Sequence, residues 1–506
     1  MIAELRTIAF WKFKLFVMAV LLLGFALRAY HLGHNQFWGD EGGQAWAAIQ
    51  PSMSKMLETE RNHAFAMPLD YIFSRFMSRI STNEGVMRIP SLIWGTLTIP
   101  LWFILAKQLI PGEKGNIAGL LTMLMLSLSS THIIYAQEMR FYSALGFFFT
   151  LSSILLLETR QNPSLRNWTF YIVITAVGIY FHPYVYLTLV FGGVFAIYDI
   201  LSDIKHLSKA TLQNERSMRF LIGLCSSAII LFLIFLPAYF YFKHSEHYLD
   251  SGEFSSIINT LLAGLGDWNG GVLWSQSNLY FCVFTGMTLL GLIFALRNKQ
   301  REILLFTLGG SGQIFIIIET DLIFHYFDAP RQLIHIAPIL MIVASYGLCE
   351  LLGKIHQPYI QGVTALCIAG IFGFSAFPKI NSYYLTSKSN IRSSAYAILA
   401  NYHPGAKIIF DDDFGWTAYQ TFDFYFTLKS EDRSAIHNSI HANQQNLEST
   451  VQQYDNQTFL VLGSSPVPLN FQDKLMSLGF ECLTPNCFGE PTSSWSFSRV
   501  LVRNKP

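Results

Sequence analysis

Charge is scarce in this sequence. Asp, Glu, Lys and Arg make up 13% of its 506 residues, against about 25% in soluble globular chains. So few charges cannot cover the surface of several soluble domains, so the length-based expectation of about three such domains does not carry over. The 34 basic and 33 acidic residues nearly cancel, leaving a net charge of +1. That excludes the basic field that holds a nucleic acid, and no nucleic-acid partner is expected. The sequence has no Walker loop, no strand–GxGxxG–helix unit and no HExxH. A nucleotide therefore has no recognisable cradle, and a zincin-type metal site is absent. The glycine-rich GLGDWNGG at 264–271 follows no strand and reads as a surface turn. No internal repeat and no low-complexity tract stands out. The apolar run that follows Lys12 and Lys14 lacks a small-residue cleavage site and is expected to be retained as a span. Cysteines number six. Cys225, Cys282, Cys349 and Cys367 sit in apolar runs, where Cys behaves as a small hydrophobe. Cys482 and Cys487 lie in polar sequence, where a disulfide between them requires an oxidising compartment.

Apolar surface is abundant instead. Hydrophobic residues are 52% of the chain and aromatics 15%, with 43 Phe. A membrane-crossing helix needs about 20 mostly apolar residues. Eleven stretches qualify as candidates, at roughly 9–30, 90–109, 117–136, 141–157, 168–182, 184–200, 219–241, 277–296, 303–320, 333–352 and 360–378. Lys and Arg gather in alternate short loops. With Arg6, Lys12 and Lys14 inside, the inner loops carry Lys107, Lys114, Arg160, Arg166, Lys205, Lys209, Arg216, Arg219, Arg297, Lys299, Arg301 and Lys354. The short outer loops carry only Arg140, Lys243 and Arg331. The positive-inside rule then puts the N-terminus in the cytoplasm and, after an odd number of spans, the C-terminus outside.

Two longer polar stretches fall outside in this topology. Residues 31–89 include MPLDYIFSRFMSRI, an amphipathic pattern suited to a helix lying on the membrane surface. Residues 379–506 read as a small α/β domain, with KIIFDDD and TFLVLGS as strands and FQDKLMSLGF as a helix. The expected organisation is a membrane domain over 1–378 and an extracytoplasmic domain over 379–506.

Ionisable groups at membrane depth are expensive and mark functional positions. Asp40, Glu41, His63 and Arg88 fall in the first outer loop or at its rim. Glu138 and Arg140 fall at the outer turn between spans three and four, and His182 at that between five and six. His325, Asp328 and Arg331 fall between nine and ten. The topology brings all of these to one face. Bland readings stand beside the functional ones. His325 suits a solvated loop histidine, Glu138 and Arg140 a helix-end ion pair, and Asp40-Glu41 a helix N-terminus whose dipole favours acids. The run Asp411-Asp412-Asp413 suits a solvated strand end.

Several of these segments together resemble a known family. FWGDEGGQAW (37–46) is similar to the Trp-x-Asp-Glu motif in the first outer loop of GT-C glycosyltransferases of the ArnT and protein O-mannosyltransferase type. EGVMRIPSLIWGTLTIPLWFILAKQL (84–109) resembles their second span with its Arg-x-Pro-Ser entry. SSTHIIYAQEMRFYSAL (129–145) resembles their outer turn with Gln-Glu-x-Arg-x-Tyr, which adds Tyr142 to the candidates. YFHPYVYL (180–187) and DAPRQLIHIAPIL (328–340) resemble two further segments. The resemblance covers roughly 10–350, in the family's order. HAFAMPLDYIF (63–73) departs from it by a wider gap and by Asp70 in place of an aromatic, and Gln332 replaces the Tyr of Arg-Tyr-Leu. These departures bear on sugar and acceptor choice more than on reaction class.

The resemblance implies a GT-C enzyme, and the lack of any eukaryotic targeting feature suits a bacterial inner membrane. The enzyme would take a sugar from a polyprenyl-phosphate donor and pass it to a hydroxyl of a protein, lipid or glycan at the outer face, with inversion. Asp40 is then the expected general base, with Glu41 orienting it. Arg331, with Arg140 and Arg88, is expected at the donor phosphate. Glu138, His63, His182, Tyr142 and Asp328 are expected to support the site or bind acceptor. No cofactor is certain. A divalent metal, if one binds, would draw on Glu138, His63 and His182. Two other classes compete. An O-antigen ligase or polymerase favours a long outer loop late in the chain, whereas here the long acidic loop comes first. A lipid or sugar transporter or flippase would show paired, broken spans with midplane polar residues, and no such pairing is visible.

Overall fold

The computed structural model describes residues 2–61, 67–205, 211–242, 278–324, 330–355, 357–411, 414–429, 439–442, 446–454, 457–463, 469–484 and 498–504. The chain divides into two compact units. One comprises Met1–Tyr30, Arg61–Asp70 and Ile89–Tyr383, the other His31–Glu60, Tyr71–Arg88 and Tyr384–Pro506.

The first unit is helical. It holds α1 (Ile2–Ala29), α6 (Ile89–Leu109), α7 (Glu113–Leu128), α8 (Ser130–Ala136), α9 (Tyr142–Gln161), α10 (Leu165–Ile179), α11 (Thr188–Lys205), α12 (Thr211–Phe242), α13 (Asn278–Arg297), α14 (Arg301–Phe324), α15 (Ala337–Leu352) and α16 (Pro358–Leu385). Each of the eleven apolar stretches is helical over most of its described residues. Among the described residues, five helices are long and apolar enough to cross a membrane: Ile89–Leu109, Tyr142–Gln161, Pro183–Ile204, Glu215–Phe240 and Arg301–Thr320. The pair α7–α8 makes a sixth if taken as one broken span, bent by 62°. Leu165–Ile179, Phe284–Arg297 and Ala337–Leu352 are shorter apolar helices.

The bend has a local cause. Ser129 adopts an extended conformation and its side chain caps α8 through the His132 N–H. The break strands carbonyls at the end of α7, which lipid cannot satisfy. Arg28, fully buried, donates to Leu126 O (3.0 Å) and Ser127 O (3.4 Å). Glycines let α13 and α15 touch. A Cβ on Gly347 would lie 2.7 Å from the Gly291 backbone nitrogen, the small-residue contact by which membrane helices pack closely. At the helix ends that the charge pattern assigns inside, Arg160 pairs with Asp199 (2.7 Å) and Glu302 (2.6 Å), tying α9, α11 and α14 together.

The second unit gathers His31–Glu60 and Tyr71–Arg88 with the C-terminal stretch. Its helices are α2 (Gly39–Ala48), α3 (Met53–Arg61), α4 (Pro68–Ile80), α5 (Glu84–Met87), α17 (Ile391–Asn401), α18 (Trp416–Lys429), α19 (Leu447–Gln452) and α20 (Leu469–Ser477), with α3 and α4 running past its edges into the other unit. A five-stranded sheet has the order β2-β1-β3-β5-β4, formed by Lys407–Asp411 (β1), Ile440–Ala442 (β2), Thr458–Leu462 (β3), Glu481–Cys482 (β4) and Arg499–Arg503 (β5). β2, β1 and β3 are parallel, while β5 runs antiparallel between β3 and β4. Every residue of β3 is buried, as expected of a strand covered on both faces. Leu460, Leu462, Leu501, Leu475 and Val451 form the core on one side. KIIFD and TFLVL are strands and LNFQDKLMS is a helix, as their patterns indicate. Asp412 and Asp413 lie outside the described residues. Cys482 is disulfide-bonded, and Cys487, its partner on the sequence reading, also lies outside them.

Candidate active site

Within the second unit the two acids of the Asp-Glu motif have different environments. Both stand in the first turn of α2, where the helix dipole favours negative charge. Glu41 is fully buried, and Asp40 is partly exposed. Arg88 grips Glu41 with two parallel hydrogen bonds, Nε to Oε1 at 2.8 Å and Nη2 to Oε2 at 2.7 Å. Its remaining donors go to the carbonyls of Leu32 (3.0 Å), Asn35 (2.8 Å) and Gln36 (3.3 Å), and its guanidinium lies 5.3 Å from the Phe37 ring centre. Arg88 thus staples the loop before α2 to the helix itself. Its expected place at a donor phosphate is weakened by this geometry, because those donors already face the protein.

The far end of α2 is held as well. Gln44 Nε2 donates to Ser74 Oγ (2.7 Å). Arg75 donates to Ala48 O (3.1 Å) and Gln50 O (2.7 Å). Both partners come from α4.

In the first unit, other expected residues assemble around the start of α9. Gln137 anchors the preceding turn by donating to Arg28 O (2.8 Å) and Tyr30 O (2.6 Å). Glu138 is buried beside it, and the Arg140 N–H donates to Glu138 O (2.8 Å). The Arg140 guanidinium lies 5.0 Å from the Phe141 ring centre, and that of Arg331 lies 5.6 Å from the Tyr142 ring centre. The two rings are 4.4 Å apart. Two partly exposed arginines thus lie over neighbouring aromatic rings, a cation–π arrangement that favours the guanidinium charge. The N-cap Phe141 provides no side-chain cap for α9. A cationic pair at an uncapped helix start suits an anion. His182 packs 4.6 Å from Phe141 and 4.6 Å from Tyr184, and its Nδ1 accepts the Tyr184 N–H (3.1 Å). This leaves the ring proton of neutral His182 on Nε2.

Not every expected residue is placed. His63, His325 and Asp328 lie outside the described residues. Among the described residues no group of three or more His, Cys, Asp or Glu is arranged to hold a metal. His63, the third residue of the expected ligand set, lies outside the described residues.

Sequence reasoning missed others. His335 is fully buried, 4.7 Å from Phe149 and 5.6 Å from Tyr184. It lies within DAPRQLIHIAPIL, and its position in an apolar segment was a readable signal. Phe141 packs against Arg140 and His182, and Tyr184 against His182 and His335, contacts that no local pattern announces. Glu84, Arg392 and Tyr425 join the second unit's network across more than 300 residues, at 2.6 Å and 2.9 Å, and had no local signature.

No protein-family model and no curated protein sequence matches the chain. Solved structures do. ArnT from Cupriavidus metallidurans in the apo state is 13% identical, with a TM-score of 0.55 over 98% of both chains. The same protein bound to undecaprenyl phosphate is 12% identical, with a TM-score of 0.54 over 97% of both. The oligosaccharyltransferase of Archaeoglobus fulgidus, in complex with Zn and sulfate, is 10% identical. That match has a TM-score of 0.51 and covers 89% of this chain and 68% of the other. The chain therefore has the GT-C fold, in agreement with the resemblance of its motifs.

Proposed function

We propose that the protein is an integral membrane glycosyltransferase that moves a sugar from a polyprenyl phosphate to an acceptor hydroxyl. The observation that carries this reading is the pair Arg140 and Arg331, stacked on Phe141 and Tyr142 at the uncapped start of α9. The fold similarity to an ArnT crystallised with undecaprenyl phosphate supports it. A lipid-borne phosphate needs no nucleotide fold, which agrees with the missing nucleotide motifs.

In this mechanism Asp40 removes the proton of the attacking hydroxyl, as the partly exposed acid of the motif. Glu41 and Arg88 fix the turn that carries it. Arg331 and Arg140 stabilise the departing phosphate, an electrostatic contribution of several kcal/mol in general. Tyr142 and His182 shape that site, and Glu138 steadies its turn. His63 and Asp328 belong on the acceptor side. The acceptor is a protein, lipid or glycan. One displacement at C1 inverts the anomeric centre. Eleven spans over 1–378 place the N-terminus in the cytoplasm and residues 379–506 outside a bacterial inner membrane. A disulfide at Cys482 agrees with an oxidising exterior.

Native mass spectrometry of the purified protein should reveal co-purified polyprenyl phosphate. Arg331→Ala should lose that lipid, and unchanged retention would remove Arg331 from the phosphate site. A panel of undecaprenyl-phosphate-linked pentoses and hexoses, offered with isolated cell envelope as acceptor source, should identify the donor. Asp40→Asn should fold and transfer nothing; near-normal turnover would refute its role as base.

A further inference from the structure

Side chains of the C-terminal stretch reach the backbone on either side of Trp38, just ahead of Asp40, within one compact unit. The Tyr425 hydroxyl accepts the Phe37 N–H (2.8 Å) and donates to Glu84 Oε1 (2.9 Å). Arg392 Nη1 donates to the same carboxylate oxygen (2.6 Å), and its backbone N–H donates to Gln36 Oε1 (2.8 Å). Thr421 Oγ1 contacts Gly39 O (3.3 Å). Trp46 Nε1 donates to Asp423 Oδ2 (2.6 Å), which holds the body of α2 to α18. Gly42 faces Thr421 so closely that a Cβ would overlap the threonine side chain.

These contacts matter because α2 does not define its own entry. Its N-cap, Trp38, makes no side-chain cap, the contact that satisfies a first-turn N–H and stabilises a helix start. Here the residue before the cap is held instead by Tyr425, while Thr421, whose hydroxyl donates to Thr417 O (2.7 Å), packs against the turn at Gly39 and Gly42. Tyr425 and Thr421 are buried, as is Glu84. Burial and the Glu84 carboxylate push the Tyr425 phenol well above its ordinary range, so it stays protonated and keeps donating.

We propose that Tyr425, braced by Arg392 through Glu84, is a positioning residue for Asp40, so that the C-terminal stretch sets the geometry of the catalytic turn. This rests on Asp40 being the base. A carboxylate displaced by about 1 Å loses on the order of 100-fold in rate, and the backbone hydrogen bond at Phe37 lies three residues from it.

The test uses the full-length protein and the donor identified with the undecaprenyl-phosphate panel. Tyr425→Phe should keep a cooperative melt and the wild-type donor KM, and lose about 10- to 100-fold in kcat. The acidic limb of its kcat–pH profile should move, which a merely structural contact would not cause. Arg392→Lys should retain more kcat than Arg392→Met. If Tyr425→Phe does not fold, Gly42→Ala carries the test. It should lose kcat through the clash with Thr421, and Gly42→Ala/Thr421→Gly should recover it. An inactive Asp40→Asn beside a Tyr425→Phe of wild-type kcat overturns the positioning role alone, as does failure of the double variant to recover. Turnover by Asp40→Asn overturns the base reading, and this inference with it.

Discussion

Glu41 and Arg88 stand 47 residues apart in sequence and form a buried, two-pronged ion pair. Taking both charges out of water is costly, and the pair is sustained only because Arg88 spends its other donors on three carbonyls. Removing one partner leaves the other buried and uncompensated. Arg88→Met should therefore destabilise the protein by about 3–5 kcal/mol, read as a lowered melting temperature in detergent. Arg88→Lys should recover little, since an ammonium cannot reproduce the planar fork. A variant melting like wild type would show that the pair does not hold α2. The neighbouring Asp40 carries no such expectation, because it is partly exposed; its loss should appear in turnover and not in the melt.

At the scale of elements, the break between α7 and α8 depends on a side chain from α1. Arg28 donates to the last carbonyls of α7 at the 62° bend, Ser127 O and Leu126 O, the second shared with the Ser129 N–H. Each orphaned buried polar group costs roughly 1–3 kcal/mol. Arg28→Met should straighten or loosen the bend and speed hydrogen exchange across 126–132. Unchanged protection there would mean the bend is held by Ser129 alone. The Gly291–Gly347 crossing of α13 and α15 is the converse case, in which an absent side chain permits the contact.

At the scale of the molecule, the charge pattern and the proposed topology are tested together. Lys299 and Ser477 are both exposed. In a protein lacking the exposed Cys225 and Cys367, Ser477→Cys should react with an impermeant thiol reagent in intact spheroplasts. Lys299→Cys should react only after the membrane is opened. The reverse pattern would invert the orientation.

The membrane character, the positions of the apolar helices, the strands KIIFD and TFLVL and the GT-C resemblance were all legible in the chain. Each depends on the period, length or local order of neighbouring residues, and such signals need no knowledge of the fold. The separate fates of Asp40 and Glu41 were not legible, because two adjacent acids look alike until a distant arginine claims one. The same holds for Tyr425, Thr421 and Arg392. Their meaning lies in contacts across more than 300 residues, and only the tertiary structure decides which side chains meet over that separation.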